Sequence, residues 1–274
     1  MQEREGGAAL APGQAVLVVG AGAMGRGIAL VAASADHLVF LSDVSEEARR
    51  RALTAIAEEL DGGVRKGRMS AEEASAIRDR IRAVAEPQSV ASQVHLVIEA
   101  IVEDLEVKRA LFAALEPLVP PQAILATNTS SLSITAIAAP LARPERVVGM
   151  HFFNPPTRMK LVEVVSGLAT APEVAQAIRD TAVRWGKIAV MARSTPGFIV
   201  NRVARPFYAE ALRVLAEGAA DCATLDAIVR EAGGFPMGPF ELMDLIGHDV
   251  NFAVTSSVWS AYFYDKRFQP SLIQ

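Results

Sequence analysis

The chain has 274 residues, of which 51% are hydrophobic and 21% charged. These proportions exclude a disordered polar chain and predict a folded protein. The length favours two domains over one. The formal net charge is only -4 and no long basic block occurs, so neither nucleic acid nor an anionic membrane is expected as a partner. The single cysteine, Cys222, excludes an internal disulfide framework and predicts a reducing, cytoplasmic location.

The first stretch, residues 1–14, is predicted to be a loose tail. It is acidic and rich in Gly and Ala, and it lacks the basic start and apolar core of a signal peptide. No apolar run in the chain approaches the ~20 residues that a membrane-spanning helix needs. We therefore expect no membrane partner.

Residues 15–43 read as a Val-rich strand, a glycine turn, an Ala-rich helix and a second strand. Gly20, Gly22 and Gly25 have the spacing G-x-G-x-x-G. In that pattern the first glycine permits a tight turn, the second leaves room for a pyrophosphate, and the third lets helix and strand pack closely. Ala23 and Met24, between the last two glycines, belong to the same predicted site. The stretch predicts a βαβ unit that binds a dinucleotide at its helix N-terminus.

Asp43 ends the second strand about 20 residues beyond the glycine turn, where an acid binds the ribose hydroxyls of a dinucleotide. A carboxylate there would repel a 2'-phosphate. The predicted cofactor is therefore NAD rather than NADP.

A long helical stretch follows, roughly residues 45–83, broken near DGGVRKGRMS. It predicts a helical hairpin inserted into the α/β pattern. Its basic residues Arg65, Lys66 and Arg68 have two interpretations: they belong to a solvated outer face, or they contact a substrate that carries phosphate.

The α/β alternation then continues through HLVIEA, EDLEVKRALFAALEPL, AILATNTSS and RVVGMHFF. The predicted fold of the first half is a Rossmann-like doubly wound sheet. Ligands of such sheets lie beyond the carboxyl ends of the strands, where Glu99, residues 127–131 and His151 are expected. No metal-ligand spacing appears, and no metal is expected.

His151 and Glu163 lie in two successive apolar runs, MHFF and MKLVEVV. Strand alternation places Glu163 on an apolar face, where an unpaired carboxylate costs several kcal/mol. The two residues are either a core histidine and an edge-strand carboxylate, or a catalytic pair in which the carboxylate holds a histidine base. His37, His95 and His248 lack such a setting and are expected to be structural or exposed.

After Pro196 and Gly197 the pattern becomes helical, in RPFYAEALRVLAEG, DCATLDAIVREAGG and FELMDLIGHDVNFAVTSSVWSAYF. We expect a first domain over 1–194 and an all-α second domain over 195–274. Arg205 and Lys266 in this half are either surface charges or ligands for a substrate carboxylate.

Seven segments in this order resemble the L-3-hydroxyacyl-CoA dehydrogenase family, over nearly the whole chain from residue 15. They are GAGAMGRGIA, EAIVEDLEVKRALF, TNTSSLSIT, GMHFFNPP, MKLVEVV, STPGFIVNRV and GGFPMGPFELMDLIG. Two longer segments, TPGFIVNRVARPFYAEALR and LIGHDVNFAVTSSVW, together most resemble the phenylacetate-degradation branch, whose members act on 3-hydroxyadipyl-CoA.

This resemblance implies NAD-dependent oxidation of (S)-3-hydroxyacyl-CoA to 3-oxoacyl-CoA. His151 would be the general base and Glu163 the residue that orients it. Ser130 and Asn201 match family residues that hydrogen-bond near the reacting oxygen and the nicotinamide, so Ser130 is expected to contact both NAD and the acyl-CoA.

The resemblance also implies which further residues contact the cofactor and coenzyme A. Glu103 and Lys108 match contacts of the NAD ribose and nicotinamide end, and Asn154 matches a polar residue beside the same site. Lys66 falls at a position that contacts coenzyme A, which favours the substrate interpretation of the basic residues. Glu59 departs from the pattern, because some relatives have a serine against coenzyme A there.

The resemblance also implies that residues 195–274 form a dimerisation and substrate domain, and hence a homodimer. The family usually continues past RFQPSLIQ with a helix and a tail, so we expect this domain to be truncated at its C-terminus.

The sequence is also compatible with three other functions. They are a short-chain 3-hydroxybutyryl-CoA dehydrogenase, a β-hydroxyacid dehydrogenase acting on free acids, and a non-catalytic NAD-binding or structural protein with the same fold.

Overall fold

The computed structural model describes residues 8–274 and divides the chain into two compact units. One unit ends at Ser194 and the other comprises Thr195–Gln274. No helix within the described residues is long and apolar enough to cross a membrane.

The first unit is built on one sheet of eight strands. They are β1 (Val16–Val19), β2 (Val39–Ser42), β3 (Ile81–Val84), β4 (Leu96–Glu99), β5 (Ile124–Thr127), β6 (Val147–Phe152), β7 (Leu161–Ser166) and β8 (Ile188–Arg193). Their order is β3-β2-β1-β4-β5-β6-β7-β8. Strands β1 to β6 are parallel, β7 is antiparallel to β6, and β8 is parallel to β7. The predicted doubly wound sheet is confirmed.

Helices connect the strands of this unit. They are α1 (Ala23–Ser34), α2 (Glu46–Arg65), α3 (Ala71–Asp79), α4 (Leu105–Leu115), α5 (Ile134–Ala138) and α6 (Pro172–Arg184). Every residue of β1, β2, β4 and β5 is buried, as expected for parallel strands whose two faces are both covered by helices. This explains why the sequence shows short continuous apolar runs rather than alternation.

The helical hairpin is formed by α2 and α3, but its ends differ from the prediction. Helix α2 continues through Asp61 to Arg65, so the break lies at residues 66–70. Ser70 and Glu73 form a capping box that starts α3. Residues 81–83, predicted as the end of the helical stretch, lie instead in strand β3, whose backbone pairs with β2. Ile81 is the only buried residue of this strand, and charged residues surround it in the sequence, so no apolar run indicates the strand.

The predicted loose tail is wrong for residues 8–14, while residues 1–7 lie outside the described part of the chain. The backbone N–H of Leu10 donates to the Thr181 hydroxyl at 3.0 Å, and Leu10 is buried against the sheet. Gly13 donates to the carbonyl of Asp36 at 2.9 Å. Residues 8–14 are therefore part of the first unit.

The second unit consists of α7 (Val200–Ala216), α8 (Cys222–Glu231), α9 (Pro239–Ile246) and α10 (His248–Ala261). It is helical, as predicted, around a small core of Tyr208, Leu212, Phe240 and Met243. The last predicted helix is divided in two at Gly247, because its φ of 98° is incompatible with a continuous helix. Helix α7 also begins five residues earlier than the predicted segment.

Candidate active site

His151 and Glu163 face each other across two antiparallel strands. They are direct partners in the register of β6 and β7, and Nδ1 of His151 lies 2.6 Å from Oε2 of Glu163. His151 is 5% exposed and Glu163 is fully buried. The imidazole also packs against the ring of Phe153, with 4.5 Å between the centroids. The structure thus brings together the two residues that the sequence suggested as a pair.

This geometry defines which ring nitrogen of His151 carries the proton. A carboxylate only accepts hydrogen bonds, so Nδ1–H of His151 donates to Glu163 and Nε2 is the basic nitrogen. The arrangement is chemically suited to accept a proton at Nε2 and to stabilise the positive charge that results.

The glycine turn lies at the same sheet edge, because β1 and β6 run in the same direction. Gly20 has a φ of 104°, and a Cβ there would lie 2.3 Å from the carbonyl oxygen of Ala100. A Cβ on Gly25 would lie 1.7 Å from the oxygen of Gly20. These two positions therefore require glycine for the close approach of backbone to backbone.

Gly22 differs from its two neighbours in the motif. A Cβ at Gly22 would meet nothing within 4 Å. Gly22 is the N-cap of α1 and, as a glycine, has no side chain to accept hydrogen bonds from the first amides of that helix. Ala23 and Met24 lie in the first turn of α1, where Ala23 is exposed and Met24 is half-buried. The open space next to the helix N-terminus fits a pyrophosphate group, which would accept hydrogen bonds from the exposed amides.

Asp43 lies beside this turn and contacts it. Its Oδ2 accepts a hydrogen bond from the N–H of Ala21 at 2.8 Å, and its Oδ1 accepts one from Ser45 at 2.9 Å. The predicted ribose ligand thus also holds the glycine turn in place, a contact that the sequence did not indicate.

A buried ionic cluster lies at the carboxyl ends of β4 and β5. Nζ of Lys108, which is 1% exposed, lies 2.6 Å from Oε1 of Glu99 and 3.2 Å from Oε2 of Glu103. Glu99 is fully buried and also accepts hydrogen bonds from the Thr127 hydroxyl at 2.6 Å and from the N–H of Ile101 at 2.7 Å. Glu99 is at the edge where its position at the end of an apolar run predicts it. That position of a carboxylate was the available signal for a buried partner, but no local pattern identifies Lys108 as that partner.

Glu103 connects this cluster to the polar turn after β5. It accepts a hydrogen bond from the N–H of Ser130 at 2.9 Å and one from the hydroxyl of Thr129. Burial acts to raise the pKa of Glu103, but the Lys108 ammonium and the hydrogen bonds from Thr129 and Ser130 outweigh it and hold that pKa below its ordinary value. The roles of Glu103, Lys108 and Ser130 as contacts of NAD stay predictions.

The same turn is fixed against β6. Oδ1 of Asn128 accepts a hydrogen bond from the N–H of Phe152 at 2.8 Å, next to His151. Asn154 is exposed, three residues after His151. The structure therefore brings the glycine turn, the Glu103 cluster, Ser130 and the His151–Glu163 pair to one sheet edge.

The basic residues of the hairpin lie at the end of α2. Lys66 is exposed at the C-cap of α2, and Arg65 and Arg68 are exposed beside it. Oε1 of Glu59 accepts a hydrogen bond from the Thr157 hydroxyl at 2.6 Å, which connects α2 to the NPPT turn that follows β6. Glu59 therefore has an internal partner where some relatives are expected to have a serine.

The remaining histidines are positioned as predicted. His37 is buried, with Nδ1 2.9 Å from the carbonyl oxygen of Gln14 and its ring 5.5 Å from that of Trp185. Burial lowers the pKa of His37. His95 and His248 are exposed. Within residues 8–274, no group of three or more His, Cys, Asp or Glu side chains has the arrangement of a metal site.

The second unit contains the other predicted site residues. Asn201 lies in the first turn of α7 and is half-buried. Lys266 is exposed, whereas Arg205 is 4% exposed. The interpretation of Arg205 as a surface charge is wrong, because its guanidinium lies between α7 and α10.

Two family models match the chain. The 3-hydroxyacyl-CoA dehydrogenase NAD binding domain matches residues 15–195, and the 3-hydroxyacyl-CoA dehydrogenase C-terminal domain matches residues 197–274.

Individual relatives match over almost the same range. A 3-hydroxyadipyl-CoA dehydrogenase of Escherichia coli is 55% identical over 95% of this chain, which spans only 55% of that protein. A probable 3-hydroxybutyryl-CoA dehydrogenase of Bacillus subtilis is 40% identical over 93% of this chain and 88% of its own length. The chain thus spans about half of the first relative and most of the second.

Solved structures show the same similarity. A crystal structure described as 3-hydroxybutyryl-CoA dehydrogenase from Escherichia coli superposes with a TM-score of 0.93 at 54% identity, covering 96% of this chain and 56% of that one. An (S)-3-hydroxybutyryl-CoA dehydrogenase from Ralstonia eutropha superposes with a TM-score of 0.91 at 33% identity, covering 95% of this chain and 91% of that one.

Proposed function

Because the chain belongs to the 3-hydroxyacyl-CoA dehydrogenase family, we propose that it oxidises (S)-3-hydroxyacyl-CoA to 3-oxoacyl-CoA with NAD. The observation that carries this proposal is the buried His151–Glu163 pair, 2.6 Å apart, at the sheet edge that also presents the glycine turn. A base and a dinucleotide site at one edge are the two components that oxidation of a secondary alcohol requires.

In the proposed reaction, Nε2 of His151 removes the hydroxyl proton while the hydride leaves C3 and the carbonyl forms. Bound NAD supplies the acceptor for that hydride. Glu163 holds the imidazole in the reactive tautomer and stabilises the imidazolium, and Ser130 and Asn201 hydrogen-bond to the substrate oxygen. In the reverse direction, the imidazolium returns its proton to the alkoxide.

The cofactor site that we propose consists of residues that follow five of the strands, β1, β2, β4, β5 and β6, together with Lys108 on α4. The pyrophosphate would lie against the glycine turn and the first turn of α1, formed by Gly20, Gly22, Ala23, Met24 and Gly25. Asp43 would bind the adenosine ribose. Two lone pairs on each Asp43 oxygen leave acceptor capacity beyond the two backbone bonds. Glu103, Lys108, Ser130 and Asn154 would contact the nicotinamide half.

For the substrate, we propose 3-hydroxyadipyl-CoA, as in phenylacetate catabolism, with Lys66 and Ser130 among the residues that contact the acyl-CoA. The name of the 55% identical relative supports the adipyl group. The Escherichia coli crystal structure at 54% identity is described instead as a 3-hydroxybutyryl-CoA dehydrogenase. Short-chain 3-hydroxybutyryl-CoA is therefore the second candidate substrate.

The two units would divide these tasks. We propose that residues 1–194 bind NAD and that residues 195–274 form a dimerisation and substrate domain in a cytoplasmic homodimer. Large apolar side chains exposed on the second unit support the dimer: Val203, Phe235, Leu245, Phe252 and Phe263. Sedimentation of the full-length protein at micromolar concentration should give a dimer, and a monomer would contradict this assignment.

The experiment that tests the function compares initial rates of NADH oxidation with acetoacetyl-CoA and 3-oxoadipyl-CoA, using the full-length protein. A higher kcat/KM for the adipyl substrate would support the proposed substrate, whereas preference for acetoacetyl-CoA would favour the short-chain enzyme. Free 3-hydroxy acids should not support NAD reduction; if they did, a β-hydroxyacid dehydrogenase would be favoured. Tight binding of NADH without turnover of either thioester would favour a non-catalytic protein.

A further inference from the structure

Arg205 is a buried cation without a carboxylate partner. It is 4% exposed, and none of the ion pairs among residues 8–274 includes it. Burial lowers the pKa of Arg205, and only the neighbouring Tyr208 acts to raise it. An uncompensated guanidinium in a protein interior is costly, and most are paired.

The partners that Arg205 does have are neutral oxygens. Nη1 donates to the carbonyl of Asn251 at 3.1 Å and to the hydroxyl of Thr255 at 2.8 Å, and Nε donates to the carbonyl of Asn201 at 3.1 Å. The guanidinium lies over the ring of Tyr208, 4.9 Å from its centroid. Nη2 has no hydrogen bond to any residue in the described part of the chain.

A second donor without an acceptor lies in the same cluster. Nδ2 of Asn251 is buried and has no hydrogen-bond partner among residues 8–274. The orientation of this amide is determined by its other end, because Oδ1 accepts from Gln274 Nε2 at 2.7 Å and from Arg205 Nη1 at 3.4 Å. Rotating the amide would place Nδ2 against two donors. The cluster thus lacks both an acceptor and a negative charge.

We infer that Arg205, assisted by Asn251, recognises the terminal carboxylate of a dicarboxylyl-CoA substrate. This inference rests on the proposed function, and it identifies the residue that would distinguish an adipyl chain from an unsubstituted acyl chain of equal length. A carboxylate supplies both missing elements, since its two oxygens accept from Nη2 of Arg205 and Nδ2 of Asn251.

The spacing along α7 agrees with the length of the adipyl chain. Asn201 is proposed to bond to the oxygen on C3, and Arg205 lies one helical turn later, about 6 Å along the axis. Helical side chains lean towards the N-terminus, and the contact of Arg205 Nε with Asn201 shows this direction. An extended chain separates C3 from the C6 carboxylate by three C–C bonds, about 4–5 Å including its oxygens. One helix can therefore contact both ends of this substrate segment.

The test compares (S)-3-hydroxyadipyl-CoA with (S)-3-hydroxyhexanoyl-CoA, which differ only by a carboxylate or a methyl group at C6. The full-length protein should prefer the adipyl substrate, and Arg205→Met should reduce kcat/KM for it by about a hundredfold, while the hexanoyl value changes by less than about threefold. Arg205→Lys should retain part of the preference. Arg213→Met is the matched control, because Arg213 is an exposed arginine on the same helix, and its preference should equal that of the unmodified protein.

The ratio of the two kcat/KM values is the decisive readout, because it does not depend on the fraction of protein that is folded. Equal losses on both substrates would show that Arg205 only connects α7 to α10, and would overturn the inference while leaving the proposed function intact. Absence of a preference in the unmodified protein would also overturn it. Turnover of neither substrate would overturn the proposed function itself.

A binding measurement covers the case in which Arg205→Met does not fold. Adipyl-CoA and hexanoyl-CoA lack the reactive hydroxyl, so their inhibition constants measure recognition alone. Adipyl-CoA should inhibit the unmodified protein at least about tenfold more strongly. Equal inhibition would contradict a carboxylate site at Arg205.

Discussion

Replacing Glu163 by Gln isolates the electrostatic part of the proposed mechanism. The substitution keeps the shape of the side chain. The amide oxygen of Gln can still accept the hydrogen bond from Nδ1 of His151, which lies 2.6 Å from the carboxylate in the unmodified protein. What it removes is the negative charge that stabilises the imidazolium. The change should therefore lower kcat and leave KM for the acyl-CoA nearly unchanged.

The magnitude follows from the distance between the charges. Opposite charges about 4 Å apart attract by about 4 kcal/mol at an effective dielectric constant of about 20. Because every ~1.4 kcal/mol corresponds to a tenfold change in rate, the full effect would approach a thousandfold. Only part of the imidazolium charge has formed in the transition state, so we expect kcat to fall by about 100- to 1,000-fold.

The assay is steady-state NADH formation at saturating NAD, with urea unfolding of each variant. Glu163→Gln buries an amide N–H₂ in place of an oxygen, so a loss of about 1–3 kcal/mol in the free energy of unfolding is expected. Glu173→Gln, at an exposed position of the same unit, is the control and should leave both quantities unchanged. A kcat within about threefold of the unmodified enzyme would refute the role of Glu163 as a charge partner.

Three further predictions concern the cofactor turn, the second unit and acid stability. Gly25→Ala would place a Cβ 1.7 Å from the oxygen of Gly20, so NADH affinity measured by fluorescence titration should fall by more than about tenfold; unchanged affinity would contradict the tight turn. Oδ1 and Oδ2 of Asp226 accept hydrogen bonds from the N–H groups of Phe240 and Glu241 at 2.9 and 3.1 Å, so Asp226→Ala should cost about 1–2 kcal/mol in urea unfolding by exposing the start of α9, and a cost near zero would show that this cap is dispensable. The pKa of Glu103 is lowered from its ordinary 4.5 in the folded state, so its contribution to stability is present above pH 4.5 and is lost as the pH falls through the folded pKa; the stability difference between the unmodified protein and Glu103→Gln should shrink with acidification, and a difference independent of pH would exclude this linkage.

Much of the fold could be predicted because its signals are local. A βαβ unit is indicated by a four-residue apolar strand, by glycines at the spacing of Gly20 and Gly25, and by an acid at Asp43. These signals are sufficient because each depends only on the strand, turn or helix next to it in the chain. Strand β3 was missed because Arg82, its one charged residue, continues the pattern of the preceding helix. Strand β8 was missed because it is an edge strand whose exposed side chains, such as Ile188 and Met191, leave no clear pattern.

The ionic contacts of the site required the tertiary structure. Glu99 and Lys108 are nine residues apart on a strand and a helix, and only the packing of α4 against the sheet brings their charges to 2.6 Å. The sequence suggested both but could not pair them. Glu59 likewise finds its partner, Thr157, 98 positions away.

The sequence by itself determined the strand–turn–helix unit, the alternation of the first half, the helical second half and the chemical types of His151 and Glu163, because these depend on residues close together in the chain. Only the tertiary structure decided that these two residues are opposite each other, since strand register is set by the packing of the whole sheet. It also decided that Arg205 is buried, because the helical pattern of α7 does not indicate which face α10 covers.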